Sequence, residues 1–104
     1  MKPSDFLKLG WCQGYYSLDI EGRGVHEKSP QAVSWCLTGA FMAADYDTDK
    51  AFALLTKEIS SPAFEDWNDM PERTQAEVVA LAERVERRLL GVGEELQHSQ
   101  GGSA

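Results

Sequence analysis

Between Thr74 and Leu90 the apolar residues Val78, Leu81, Ala82, Val85 and Leu89 recur at steps of three and four, which places them on one face of an α-helix. Thr74 and Glu77 form a capping box at its start, and Gly91 and Gly93 are expected to stop it. A shorter stripe of Phe52, Leu55 and Ile59 predicts a helix over 48–59, capped by Asp47 or Thr48 and ended by Ser60-Ser61-Pro62. Residues 4–10 predict a first short helix, with Ser4 as its cap and Gly10 closing it in a left-handed conformation.

From Gln31 to Ala44 the chain carries no charged residue. A helix without a charged face is buried on most sides, so this stretch predicts the central helix of the domain over 30–44. Ser29 suits its N-cap and Pro30 its first turn, and Val33, Leu37, Ala40, Phe41 and Ala44 follow helical spacing. Gln13–Ile20 mixes aromatic and alternating polar residues, and Glu21-Gly22-Arg23-Gly24 supplies turn chemistry before Val25-His26, the signature of a small β-hairpin. A lone hairpin is marginal in water and has to pack on the helices. Residues 97–104 have nothing to bury and are expected to be a disordered tail. The predicted fold is mainly α (α+β): one globular domain over 1–96, a bundle of about four helices with one short hairpin.

Composition narrows the function more than the fold. A chain of 104 residues with a hydrophobic fraction of 42% and three Trp is one packed domain. Its net charge of -7 argues against direct nucleic-acid binding, which needs a concentrated basic surface. No run approaches the roughly eighteen apolar residues of a membrane span, and no signal-peptide pattern opens the chain, so a cytoplasmic location is expected. Two cysteines, Cys12 and Cys36, are too few for a disulfide scaffold and read as free thiols.

Most candidate chemistry fails on spacing. Asp45-Tyr46-Asp47-Thr48-Asp49 begins like a calcium loop, but Lys50 stands where the turn needs Gly and Thr56 where a bidentate Glu belongs. Cys12, His26, Cys36 and His98 lack the paired spacing of a zinc site. Cys12 and His26 could meet across the hairpin, yet nothing marks an oxyanion hole or an orienting third group. Gly22-Arg23-Gly24 is too short to cradle a phosphate. No catalytic residue, metal or cofactor is therefore expected.

What remains is Trp67-Asn68-Asp69, closely followed by Arg73-Thr74-Gln75-Ala76-Glu77-Val78. An aromatic, an amide and an acid beside a helix start imply a fixed hydrogen-bond network. In one reading the network is structural: Asp69 is an N-cap, Glu72 closes a second capping box, and Trp67 staples the loop to the core. In the other, one of Glu65, Asp66, Asp69 and Glu72 is a base with a raised pKa in an aromatic pocket. Trp11 and Gly14 lead into the hairpin as Trp67, Asn68 and Asp69 lead into the last helix. If both loops approach the Cys36–Gly39 turn, they form one polar-aromatic junction. The candidate binding residues are thus Trp67, Asn68, Asp69, Arg73, Trp11 and Gly14.

Three patterns together carry a resemblance: Trp11-Cys12-Gln13-Gly14, then Ala32 to Ala40 with Cys36 and Gly39, then Trp67-Asn68-Asp69 before Arg73-Thr74 and Glu77-Val78. In these the chain resembles the DUF6197 type, a family of small bacterial and phage proteins of unknown function. The resemblance spans roughly residues 6 to 90 and implies the motif boundaries and the fold, but no activity.

Two functional readings follow. The first is a small acidic accessory or regulatory protein that binds another protein, its charge steering it toward a basic partner. The second is a small-molecule-binding protein or minor enzyme that uses the Trp67-Asn68-Asp69 loop, since an aromatic wall beside an amide and an acid suits a small polar ligand. Leu90 and Leu96 lie off the main stripe of the last helix, and such residues often mark a two-fold contact, so a homodimer through its C-terminal part is also expected.

Overall fold

A computed structural model describes the backbone of residues 1–101 and the side chains of residues 1–91. Five helices and one two-stranded antiparallel sheet are present among them: α1 (Pro3–Leu9), β1 (Ser17–Leu18), β2 (Ser34–Trp35), α2 (Leu37–Ala43), α3 (Thr48–Ile59), α4 (Phe64–Asn68) and α5 (Gln75–Gly101). The fold is the expected mainly α domain with a small β element.

The predicted apolar face of α5 is the spine of the core. Val78, Leu81, Ala82 and Val85 are completely buried, against Leu7 of α1, Leu37, Ala40 and Phe41 of α2, and Ala51 and Leu55 of α3. Each Leu or Phe so buried contributes about 1.5–3 kcal/mol relative to exposure, which makes this cluster the main stabilising term. The capping box at the start of α5 forms as expected: Glu77 N–H donates to Thr74 Oγ1 (3.2 Å) and Thr74 N–H to Glu77 Oε1 (2.9 Å). Asp47 caps α3 through Lys50 N–H, and Ser60 ends that helix with a left-handed backbone.

Several local expectations are corrected. The uncharged stretch 30–44 is not one helix. Ser29 and Ala32 close a turn (3.0 Å), Ser34–Trp35 is a strand, and only Leu37–Ala43 is helical. Absence of charge reports burial, and a buried strand satisfies it as well as a buried helix does. The segment 33–36 lies between two others: Val33 and Cys36 donate to Leu18 and Tyr16 on one side, while Trp35 donates to Gly10 and accepts from Cys12 on the other. The turn over 19–23 forms, with Leu18 bridged to Gly24, but the ladder partner of Ser17–Leu18 is Ser34–Trp35.

Gly10 is extended (φ -174), not left-handed; a Cβ there would stand 2.3 Å from the Val33 carbonyl oxygen. Gly91 and Gly93 do not stop α5, whose backbone runs to Gly101. Glycine weakens a helix by about 1 kcal/mol but ends one only when its backbone leaves the helical region, as at Gly10, and Gly91 stays helical with a negative φ. The part of the expected tail beyond Gly101 lies outside the described residues. Between helices, Glu83 pairs with Lys8 of α1 (3.0 Å), while Arg84 and Arg88 both hold Glu58 of α3 (3.1 and 3.0 Å).

Polar side chains of α5 fix α1 at both ends. Ser4 is buried rather than a cap; its N–H and hydroxyl donate to the two carboxylate oxygens of buried Glu86 (2.7 and 2.8 Å). Gln75 Nε2 donates to the Leu7 carbonyl (2.7 Å). Each contact satisfies a terminal group that a short helix leaves without an internal partner. Glu86→Ala strands two buried donors and should destabilise the domain by about 2 kcal/mol or more. Urea denaturation measures this, and a change within about 0.5 kcal/mol of zero would contradict the role assigned to Glu86.

Candidate functional site

Asn68, the last residue of α4, is completely buried, and its side-chain amide makes four hydrogen bonds. Oδ1 accepts from Trp11 Nε1 (2.8 Å) and from Leu37 N–H, the first amide of α2 (3.0 Å). Nδ2 donates to the Cys12 carbonyl (3.1 Å) and to Asp69 Oδ1 (2.9 Å). Since indole and backbone N–H groups can only donate, these partners dictate which way the amide points. The two loops therefore do converge on the start of α2.

The neighbouring residues complete the junction. Asp69 Oδ1 also accepts from Gly14 N–H (3.0 Å), and Gln13 Nε2 donates to the carbonyls of Asn68 and Met70 (3.0 Å each). Gly14 has φ +84, a left-handed conformation that a side chain would strain. Cys36 caps α2 locally, its sulfur accepting from Gly39 N–H (3.3 Å). At Gly39 a Cβ would lie 2.1 Å from the Tyr16 carbonyl oxygen, so only glycine lets the backbone at Tyr16 cross the first turn of α2.

Of the six predicted residues, Trp11, Gly14, Asn68 and Asp69 meet in one network. Trp67 and Arg73 form an adjoining pair: the guanidinium lies 3.7 Å from the centre of the indole, and Nε donates to the Trp67 carbonyl (2.9 Å). Trp67 packs on the core as expected. The Asp69 expectation needs correction. Asp69 is not an N-cap; it is the C-terminal cap residue of α4, and its carboxylate reaches across to Gly14. The D-x-x-E spacing suggested a second helix start, but Trp67-Asn68 itself is helical. In the D-x-D-x-D run Asp47 caps α3 and Asp45 pairs with Lys28. Among the described residues no three metal-ligating side chains are gathered.

Beside the junction is a cleft of about 360 Å³ lined by Gly14, Tyr15, Tyr16, Cys36, Glu65 and Asp69. Tyr16 donates its hydroxyl to Glu65 Oε2 (3.0 Å), and that carboxylate holds the phenol pKa above its ordinary value. Burial pushes the Cys36 thiol up to about 11 and also raises Cys12, so neither thiol is activated toward the thiolate. Cys12 and His26 are engaged elsewhere: the thiol with the Tyr15 carbonyl (3.5 Å), the imidazole with Lys28 N–H (3.1 Å) and Glu27 (3.3 Å). Sequence reasoning missed Tyr15, Tyr16, Glu65 and Cys36 as one wall. The tyrosines read as strand residues and Cys36 as core, and only the crossing at Gly39 brings them together.

The motif residues all fall within one family match. The profile described as "Family of unknown function (DUF6197)" matches residues 7–88, most of the chain and every residue of the junction. The chain belongs to this family. No curated protein and no solved structure matches it. In this DUF6197 chain the W-x-Q-G and W-N-D motifs are thus two halves of one hydrogen-bonded unit.

Asn68→Asp keeps the shape of the side chain but turns its Nδ2 donor into an oxygen facing the Cys12 carbonyl and Asp69. Desolvation and the Asp69 charge would raise the new carboxyl's pKa in the folded state, so the stability contributed by its protonated form is lost as pH rises. The variant should be less stable than wild type by about 3 kcal/mol at pH 7 and by clearly less near pH 4. Asp69→Ala, at an exposed position, removes the acceptor of Gly14 N–H and Asn68 Nδ2 and should cost about 1 kcal/mol. Chemical denaturation across this pH range checks both, and a pH-independent deficit for Asn68→Asp would contradict the network.

Proposed function

We propose that this DUF6197 chain is a small acidic accessory or regulatory protein of the cytoplasm that works by binding another protein. The observation that carries the reading is the pair Tyr15 and Tyr16, 57% and 46% exposed, on a loop anchored through Gly14 N–H and Gln13 to the buried junction. Exposed tyrosines on a rigid loop make good interface anchors, because they bring large contact area and little conformational entropy remains to be lost. Met70, also exposed, is tied to the same loop by Gln13. The net charge of -7 would steer a basic partner, including the nucleic-acid groove of another protein. No helix among the described residues is long and apolar enough to cross a membrane.

The second reading, a small-molecule-binding protein or minor enzyme at Trp67-Asn68-Asp69, has Asp69 on the cleft wall in its favour. Asn68 is fully buried and Trp67 lies under Arg73, so two of the three side chains have internal roles instead.

Affinity capture from the native host at low and moderate salt tests the first reading. Wild type should retain a partner, and Tyr15→Ala/Tyr16→Ala should lose about tenfold or more of it with an unchanged melting temperature. No partner above background at either salt would overturn the reading. A homodimer through the C-terminal part of α5 also belongs to the proposal. Its support is Leu90, 75% exposed, whereas Leu96 lies outside the described side chains. Light scattering should show a mass that rises with concentration in wild type and not in Leu90→Ser; a constant mass near 11.5 kDa would exclude self-association.

A further inference from the structure

We propose that the Tyr15–Tyr16–Glu65–Asp69 cleft receives an arginine side chain presented by the partner protein. The inference rests on the protein-binding reading and specifies what the partner offers. Two of the six lining residues are carboxylates, two are phenols, and none is cationic. The hydrogen bonds that Asp69 accepts within the chain fall on Oδ1, from Gly14 N–H and Asn68 Nδ2. Among the described residues its Oδ2 takes none. Among the described residues the Glu65 carboxylate accepts only the Tyr16 hydroxyl, leaving acceptor capacity at an exposed position. The charge facing the cleft is therefore negative and incompletely matched, beside two aromatic rings.

A planar guanidinium fits this combination better than an ammonium. It donates in a fork to carboxylates and stacks on aromatic faces, and it is the less strongly hydrated of the two cations. The chain already holds one guanidinium in this manner, Arg73 lying on Trp67 while bonding a carbonyl and reaching Glu77 (3.5 Å). A volume of about 360 Å³ suits a side chain, not a folded element. The exposed tyrosines and Met70 outside it offer contact to residues flanking that arginine, which favours a protein-borne arginine over a free one.

The test follows the Gly14 amide and Tyr16 ring signals by NMR while titrating a capped Gly-Arg-Gly peptide. Its citrulline counterpart, the same shape without charge, and free arginine are titrated in parallel. The arginine peptide should shift both signals saturably, and on the order of tenfold more tightly than the citrulline peptide, the worth of one charge-assisted pair. Glu65→Gln, at an exposed position, should weaken it several-fold with an unchanged melting temperature. Equal binding of the citrulline peptide, no saturable shift, or free arginine binding as tightly as the capped peptide would each overturn the proposal. Capture of the host partner separates this outcome from the broader reading. If Glu65→Gln retains the partner like wild type while Tyr15→Ala/Tyr16→Ala loses it, the arginine proposal falls and protein binding stands. If wild type captures nothing, the broader reading itself falls.

Discussion

A primary amide out of reach of water must find partners for two donors and an acceptor or else destabilise the fold. The Asn68 side chain finds four, on segments far apart in sequence: the Trp11 indole, the Cys12 carbonyl, the first amide of α2 and the neighbouring Asp69. Three pieces of chain, 11–14, 36–39 and 64–69, thus share one polar centre with little freedom of register. No apolar residue could replace it, because two buried N–H groups would lose their acceptor. Hydrophobic burial along α5 supplies most of the stabilisation but tolerates small shifts, whereas a buried hydrogen-bond network tolerates almost none.

The rest of the packing obeys the same division. The apolar face of α5 gathers α1, α2 and α3, and individual polar side chains decide where each sits. Glu86 and Gln75 hold the two ends of α1, and Arg84 and Arg88 hold α3 through Glu58. At Gly39 the absence of a side chain lets the backbone at Tyr16, just before β1, rest on α2, which turns Tyr15 and Tyr16 toward the same cleft as Cys36 and Asp69. The candidate surface is a by-product of how the junction is closed. Residues that look most functional in the sequence, Trp11 and Asn68, face inward, and the groups left facing outward are two phenols and two carboxylates.

The amino-acid pattern alone determined α3, the start of α5 and its capping box, the apolar face of the core and the mainly α class, because each depends on residues three or four apart. It also singled out Trp11, Gly14, Asn68 and Asp69, since such polar and aromatic clusters imply a fixed network. Its errors over 30–44 and at Asp69 share one cause. The uncharged stretch 30–44 reads as a helix by burial, but whether a buried apolar run is strand or helix depends on what lies beside it, here Tyr16–Leu18 and Gly10–Cys12. Asp69 reads as a cap by local spacing, yet its partner Gly14 is 55 residues away. Only the tertiary structure could decide such pairings and the cleft they leave, because hydrogen bonds between remote segments have no periodicity along the chain to announce them.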